Sequence, residues 1–599
     1  MPVPKKIRIA EHIEISWPAD QREPARCPNC GCALPAARLL DIEFHPPGKE
    51  YHYAVHHCSR CDARFFGNSD TMDYSTDELI EMGWHGYQVQ IGAGLWSIAA
   101  PLAQIDKPAA ARVLEIGGAY GFGLDFAERA CNWTGTGYDP SPLAAFGAAE
   151  LGLDIKQDYF GERELDRGCY DVILATEVIE HLPDPPAFLR LMARALAPDG
   201  LLLLTTPDGT KITPGLSASE LLPMLSPGAH LVLQSPASLR LALQQAGFRQ
   251  VVIRQSGLTL IAYASVSAFE LHNDAGRSRE MYRRYLVERG RIAAPGSDLC
   301  LGFAGRALFE AVNDADFTAA QQAWEILLPA TRQRYGIDLE CMTELPGAAP
   351  ASLSQLLQLM PVGLGMILYA RGIWQLFLEA PRTQLLPRFR LALAALDALL
   401  AALAQRSLTD GLTIGLRECA MTEIALCLAA AGDADCVGLV MAMRDWSNDL
   451  TTAWRVFISL VNGGFVACGR QLQQAAGLYA PQEALESKLR LDALFTTGVL
   501  ALEDAADWPR ALSIFTELRS RLLRSLSASG NVPHLFWPGL RGEVTALRHL
   551  DRAEEARKLL QNVIPAYAGA PADLMQQLAG DQEQASTSFS EEKEAKRLF

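Results

Sequence analysis

The sequence predicts three unlike architectures in one chain: a small zinc-binding module, an α/β domain with a doubly wound sheet, and an all-α, helical-repeat-like C-terminal region. Three observations carry this. Two CxxC pairs crowd the first 61 residues, short apolar runs alternate with amphipathic stretches between about 75 and 270, and beyond 275 β-branched runs give way to Ala and Leu. With 599 residues, the chain is about four times the usual domain length. The expected division is 1–72, 73–272, 273–570, and a polar tail, 571–599, with too few apolar anchors to pack.

Composition narrows the function classes. A hydrophobic fraction of 49% supports large cores and excludes global disorder, and a net charge of −16 disfavours a general nucleic-acid binder. No membrane span is expected: Leu391 to Leu403 is short and carries Asp397, and SQLLQLMPVGLGMILYA is broken by glutamines and Pro361. The N-terminus meets Glu11, His12 and Glu14 where a secretory signal needs an apolar run, so a cytoplasmic address is expected. The odd total of thirteen cysteines fits reduced thiols.

In the first region, CPNC (Cys27, Cys30) and CSRC (Cys58, Cys61) are two knuckles at the ends of one loop. Four thiolates satisfy tetrahedral Zn2+ and crosslink a segment too small to bury a core of its own. Cys32 and His57 lie close enough in sequence to replace one knuckle cysteine, whereas His52 and His56 read as loop residues. The knuckles resemble zinc-ribbon modules, which implies a structural metal with no coordination position left for chemistry.

In the second region, RVLEI, GTGYDP, YDVILA and LLLLTTP read as strands. FGLDFAERA and PAFLRLMARAL read as the helices between them, and APDG as a turn. ASLRLALQQAGF adds a helix, and QVVIRQSG and LTLIAYAS two further strands. VLEIGGAYGFG joins a strand to a helix through glycines that let a ligand approach the backbone. Asp139 ends the second strand eighteen residues beyond Gly121, where an acid can accept ribose hydroxyls, and Asp158 ends the third.

Together with EVIEHLPDP and APDGLLLLTTP, this set resembles the class I S-adenosylmethionine-dependent methyltransferases, from about 110 to 210 and more loosely to 265. The resemblance implies a Rossmann-like domain that binds S-adenosyl-L-methionine. Glu115, Gly117, Gly118, Ala119 and Gly121 would curl around the methionine and ribose, Asp139 would take the ribose hydroxyls, and Asp158 would face the adenine. Tyr159 and Glu177 would complete the cofactor surroundings. Ala119 replaces a usual glycine and is compatible with binding if its φ is negative. A nicotinamide-binding enzyme and a catalytically dead scaffold are the alternatives.

Methyl transfer to oxygen or carbon also needs proton removal. His181, in EVIEHLP, and His230, in SPGAHLVLQSP, are the candidate catalytic bases. Their structural alternatives are bracing the loop and capping a helix or lining the cleft, and Glu177 and Glu180 read as cleft or turn residues. Trp84, His85 and Tyr87, in the stretch 77–94, are read either as a lid or as the aromatic edge of a scaffold helix.

A zinc module ahead of such a domain looks like bacterial methyltransferases acting on sugars, sugar nucleotides or surface glycans. A small-molecule or glycan acceptor is therefore expected, the alternative being protein methylation or a scaffold whose helical region holds a protein partner. That region repeats a loose pattern at 307–327, 498–519 and 544–564: helix, Asp-bearing turn, and a second helix beginning near Ala319, Ala511 or Ala556. It resembles tetratricopeptide hairpins, without their full signature.

Overall fold

The computed structural model describes residues 5–579 except 11–12, 19–20, 34, 46–49, 68–71, 77–83, 166–169, 215, 217, 348–349, 351, 406–407, 409, 434–437, 439–449, 482–484, 486, 504–506, 525–532 and 568. The start of the candidate lid and residues 580–599 of the expected tail lie outside the described residues. The chain forms two compact units, Met1–Glu379 with Pro387–Arg417, and Ala380–Leu386 with Glu418–Phe599.

The first unit opens with strands β1 (Lys5–Ala10), β2 (Ile13–Trp17), β3 (Arg22–Pro24), β4 (Pro35–Phe44), β5 (Tyr51–His57) and β6 (Arg64–Phe66). They form an antiparallel sheet in the order β1-β2-β4-β5-β6, with β3 on β4. His52 and His56, expected in a loop, lie on β5; His56 is buried and stands 3.0 Å from the Glu23 carboxylate.

The central domain supplies β7 (Arg112–Ile116), β8 (Thr134–Tyr138), β9 (Ile155–Lys156), β10 (Tyr170–Thr176), β11 (Leu196–Pro207), β12 (Val232–Leu233), β13 (Gln250–Ser256) and β14 (Thr259–Ser265). Its sheet runs β13-β14-β11-β10-β7-β8-β9. The strands from β9 to β11 are parallel, and β14 is antiparallel to both its neighbours.

Both faces of this sheet are buried, which is why its strands read as nearly continuous apolar runs. Successive side chains point to opposite faces, so Val113, Val172, Leu174, Leu201 and Leu203 enter one core while Leu114, Ile173, Ala175, Leu202 and Leu204 enter the other. APDG is not a turn between elements. It is a bulge inside β11, where the partner of Tyr170 is Leu196 and that of Val172 is Leu201.

Two expected boundaries shift for a physical reason. β12, deep in the central domain's sequence, pairs antiparallel with β6. Ile212, Leu221, Met224, Leu225 and Leu233 fill the core under Ile15, Leu40, Ile42 and Val55, so residues 1–72 alone do not close the N-terminal sheet. Likewise the helices Ala275–Ile292 and Asp298–Asn313 share a core with the central sheet through Tyr282, Tyr285, Leu286, Phe303 and Leu308. Asp125, fully buried on the helix Phe122–Arg129, accepts a 2.6 Å bond from the Tyr285 hydroxyl and pairs with Arg289 at 2.9 Å. Residue 272 therefore does not separate two cores.

The helical hairpins exist, but in different compact units. Asp298–Asn313 and Phe317–Tyr335 belong to the first, where Ala320 is fully buried and Ala319 only partly. Ser487–Leu502 with Trp508–Arg524, and Phe536–His549 with Ala553–Val563, belong to the second, where Ala511 and Ala556 are fully buried as expected. Among the described residues no single helix is long and apolar enough to cross a membrane. The pair Leu353–Leu359 and Leu364–Phe377 meets that test only together, bent by 50°, and its apolar residues lie in the first unit's core.

Candidate active site and cysteine cluster

Ile116 pairs with Tyr138, Tyr138 with Lys156, and Ala175 with Ile116. Parallel register therefore brings the residues after β7, β8, β9 and β10 to one sheet edge, where crevice sites form. Gly117 and Gly121 have φ of 68° and 85°, conformations glycine adopts without steric cost. Ala119 departs from expectation, with φ of 48°. Its amide donates to Asp139 Oδ2 at 2.7 Å, a bond that holds the loop in this shape.

Asp139 is buried, and its Oδ1 accepts from the Ser141 amide at 2.8 Å. Asp158 and Tyr159 are exposed on the same edge. Glu115 is placed differently from its expected cofactor contact: it is buried beneath the loop, accepting from the Leu124 amide, and its carboxyl occupies the space that a Cβ on Gly118 or Gly123 would need. Burial pushes this carboxyl up to about 7. It braces the loop from below. Tyr87 is likewise a core residue, and His85 packs 4.4 Å from Phe146, so neither forms a free aromatic edge.

A second cluster follows β10. Glu177 has φ of 53° and accepts from the Thr205 hydroxyl at 2.8 Å. Val178 covers Gly117, its Cγ2 2.5 Å from where a Cβ would stand, which sets the turn Ile179–His181 beside the glycine loop. Glu180 is fully buried; its Oε2 accepts from the Thr206 hydroxyl at 2.9 Å, while its Oε1 has no hydrogen-bond partner among the described residues.

His181 and His230 come together, ring centroids 4.8 Å apart. His181 Nδ1 lies 2.7 Å from the Tyr74 hydroxyl and 3.1 Å from the Ala229 carbonyl. His230 Nδ1 lies 2.7 Å from the Met224 carbonyl, and burial pushes its imidazole down to about 3. That makes His230 a poor proton acceptor at neutral pH; burial also lowers His181. Tyr74 and Thr206 were not legible as site residues, because they carry no motif and meet the cluster only through the fold.

The four knuckle cysteines converge with all ligand atoms within 4.8 Å of one another. Cys27 and Cys61 sulfurs are 3.7 Å apart, as are those of Cys30 and Cys58. Tetrahedral sulfurs about 2.3 Å from a zinc ion stand about 3.8 Å apart, so the donor set fits such a cation. A hydrogen bond from Cys27, with another from Asn29, pulls Cys61 down to about 5, which supplies a thiolate. Cys32 and His57 are not in the set, and His57 instead meets Asp62 at 2.7 Å.

Asn29 ties this cluster to the active-site edge. It is buried, donates to the Ser238 carbonyl at 3.2 Å and to Cys61 Sγ at 3.8 Å, and accepts from Gln234 at 3.0 Å. The Leu231 amide donates to the Glu180 carbonyl at 2.7 Å, and the Leu231 carbonyl accepts from Phe66 at 2.9 Å.

Residues 93–252 match the family model described as a methyltransferase domain. A ubiquinone biosynthesis O-methyltransferase of Methylobacterium nodulans is 37% identical over 174 residues, covering 27% of this chain and 65% of that protein. One of a Caulobacter species is 40% identical over 93 residues, covering 14% of this chain and 37% of that protein. The chain thus spans less than two thirds of the length of these curated relatives. A solved S-adenosylmethionine-dependent methyltransferase from Aquifex aeolicus is 18% identical with a TM-score of 0.22, covering 28% of this chain and 93% of the other. The chain carries an S-adenosylmethionine-dependent methyltransferase domain of Rossmann-like α/β architecture.

Proposed function

We propose that the chain transfers a methyl group from S-adenosylmethionine to a hydroxyl oxygen of a small polar acceptor. The observation that carries the reading is the meeting of the loop 117–121, Asp139, and the Glu180–His181–His230 cluster at one edge of the sheet. The bound cofactor supplies an electrophilic methyl on a sulfonium. Asp139 holds the ribose: its carboxylate has lone-pair sites beyond those taken by Ala119 and Ser141. Asp158 and Tyr159 are assigned to the adenine, and Glu177 to the rim between cofactor and acceptor.

As the C–O bond forms and the C–S bond breaks, the hydroxyl proton must leave the acceptor, and His181 and His230 mark where that oxygen is activated. The relatives named O-methyltransferases support an oxygen acceptor. Within this reading the acceptor is a hydroxylated compound such as a sugar or sugar nucleotide, which suits an edge presenting the Tyr74 hydroxyl and two imidazoles. The cysteine cluster is assigned a structural zinc, whose four thiolates leave no position for chemistry.

Calorimetry with S-adenosylmethionine tests the cofactor half. Asp139→Ala should weaken binding by tenfold or more, since charge-assisted bonds contribute about 1.5 to 3 kcal/mol each. Unchanged affinity, or none in the wild type, contradicts the assignment. Transfer of labelled methyl to cell-extract fractions tests the acceptor: label in small hydroxylated compounds is expected, and label confined to protein overturns it.

A further inference from the structure

Glu180 presents a physical problem. Its carboxyl is fully buried, one oxygen is held by Thr206, and the other meets no donor among the described residues. Among the described residues its ionisable neighbours are the Glu177 carboxyl, which crowds it with like charge, and two imidazoles: His181 Nε2 lies 3.9 Å from Oε1, and the His230 ring stands edge-on to His181. A buried carboxylate without a cation or a donor is costly, so such an atom marks something missing from the protein's own hydrogen bonds.

The two rings are oriented for one task. Carbonyl oxygens only accept, so the Met224 carbonyl draws the hydrogen of His230 to Nδ1, and the Ala229 carbonyl does the same for His181, whose Nδ1–H also meets the Tyr74 hydroxyl oxygen as a second acceptor. Each Nε2 is then left as the lone-pair nitrogen. An imidazole whose far nitrogen donates to a backbone carbonyl is the usual arrangement of a metal-ligating histidine. Glu180 Oε1 is the only free oxygen of its carboxyl, and the ligand atoms of Glu180, His181 and His230 lie within 4.8 Å of one another.

We propose that Glu180, His181 and His230 bind one divalent transition-metal cation, distinct from the cysteine-bound one, with coordination positions left for the acceptor oxygen. Two imidazoles and a carboxylate suit the borderline ions Co2+ and Zn2+ and, through the carboxylate and open positions, the harder Mn2+, and three protein ligands leave the site open. Such an ion would act as a Lewis acid that lowers the pKa of a bound acceptor hydroxyl toward neutrality, so that its proton could pass to water and neither ring would have to take it. The ligands come from two segments. His230 precedes β12, which is anchored on β6 directly after Cys58 and Cys61, so the cysteine cluster positions one of the three donors.

The cation's role in transfer rests on the methyltransferase reading, but its binding does not, and the test separates them. Full-length protein is dialysed to equilibrium against micromolar Zn2+, Co2+ or Mn2+ in separate runs and its metal content measured. The wild type should hold two equivalents with at least one of these ions. Glu180→Gln and His230→Ala should each hold one, their affinity for the second ion falling more than about a hundredfold. A wild type that never exceeds one equivalent, or a second equivalent that persists in both variants, overturns the proposal.

The retained cysteine-bound equivalent reports that a variant is folded. If a variant loses that too, the wild type decides alone: electron paramagnetic resonance of added Mn2+, which thiolates bind poorly, should show one ion per chain withdrawn from the free pool. A full free signal, with no second equivalent of Zn2+ or Co2+ in the wild type, overturns the site. Calorimetry with S-adenosylmethionine on the same samples keeps the readings apart: two metal equivalents without cofactor binding would remove the methyltransferase reading and leave the metal site.

Discussion

The side of the edge proposed for the cofactor is built from near neighbours in sequence, with Glu115 under the loop, Gly117 to Gly121 around it, and Asp139 bonded back to Ala119. The side proposed for the acceptor gathers Tyr74, the turn Ile179–His181, Thr206 and His230, and its shape depends on the N-terminal sheet that carries the four-cysteine cluster. A local site is fixed as soon as its strand and helix pack. A convergent one inherits the stability of everything that holds its parts together, so the two sides should fail separately.

The sharpest way to break that comparison is to remove the metal proposed for the cysteine cluster. Replacing Cys27 and Cys58 with Ser should cut methyl transfer by about a hundredfold or more, since displacing a reacting group by an ångström has that order of effect. Cofactor affinity should stay within a few-fold, because no knuckle residue reaches the glycine loop. Measured together by labelled transfer and calorimetry, the two quantities must diverge; a parallel fall would show that the sides are one structural unit.

A smaller effect probes the cofactor side alone. Glu115 is held near 7 when folded against about 4.5 when free, so the native state binds the extra proton between these values and stability falls as pH rises through that window. Glu115→Gln cannot ionise. In urea titrations of cofactor-free protein, its stability relative to wild type should grow by roughly 3 kcal/mol from pH 4 to 8. Two curves with the same pH slope would mean that the carboxyl is solvated.

The smallest expected effect is at Ala119, where φ of 48° strains an L-residue. Ala119→Gly relieves the strain while freeing the unfolded chain, for a net gain of roughly 0.5 to 1 kcal/mol. Loss of stability on this change, seen as a lower urea midpoint, would mean that the methyl group packs usefully.

The contrast also explains what the sequence disclosed. The central strands were legible because burial on both faces leaves nearly unbroken apolar runs such as VLEI and VILA. The glycine loop was legible because it is contiguous. β12 was not, since two residues carry no periodicity and their partner is β6. Nor was the packing of Tyr282 and Tyr285 under the central sheet: a helical pattern shows that a face is buried and not what buries it. Glu180 read as a turn residue because an unpartnered oxygen exists only in three dimensions. Asn29, inside CPNC, offered a faint signal as an amide between two ligands.

The pairing of β6 with β12 also has a meaning in time. A ribosome delivers Arg64–Phe66 about 170 residues before Val232–Leu233, on the order of ten to thirty seconds at usual elongation rates. The first sheet to emerge therefore stays unfinished until β7 to β11 of the central sheet have been made, and until then the strand after its second knuckle presents an open edge to whatever else is nascent. Early metal capture by Cys27, Cys30, Cys58 and Cys61, all of which precede that edge, would hold the unfinished sheet in register while the catalytic domain is still being made.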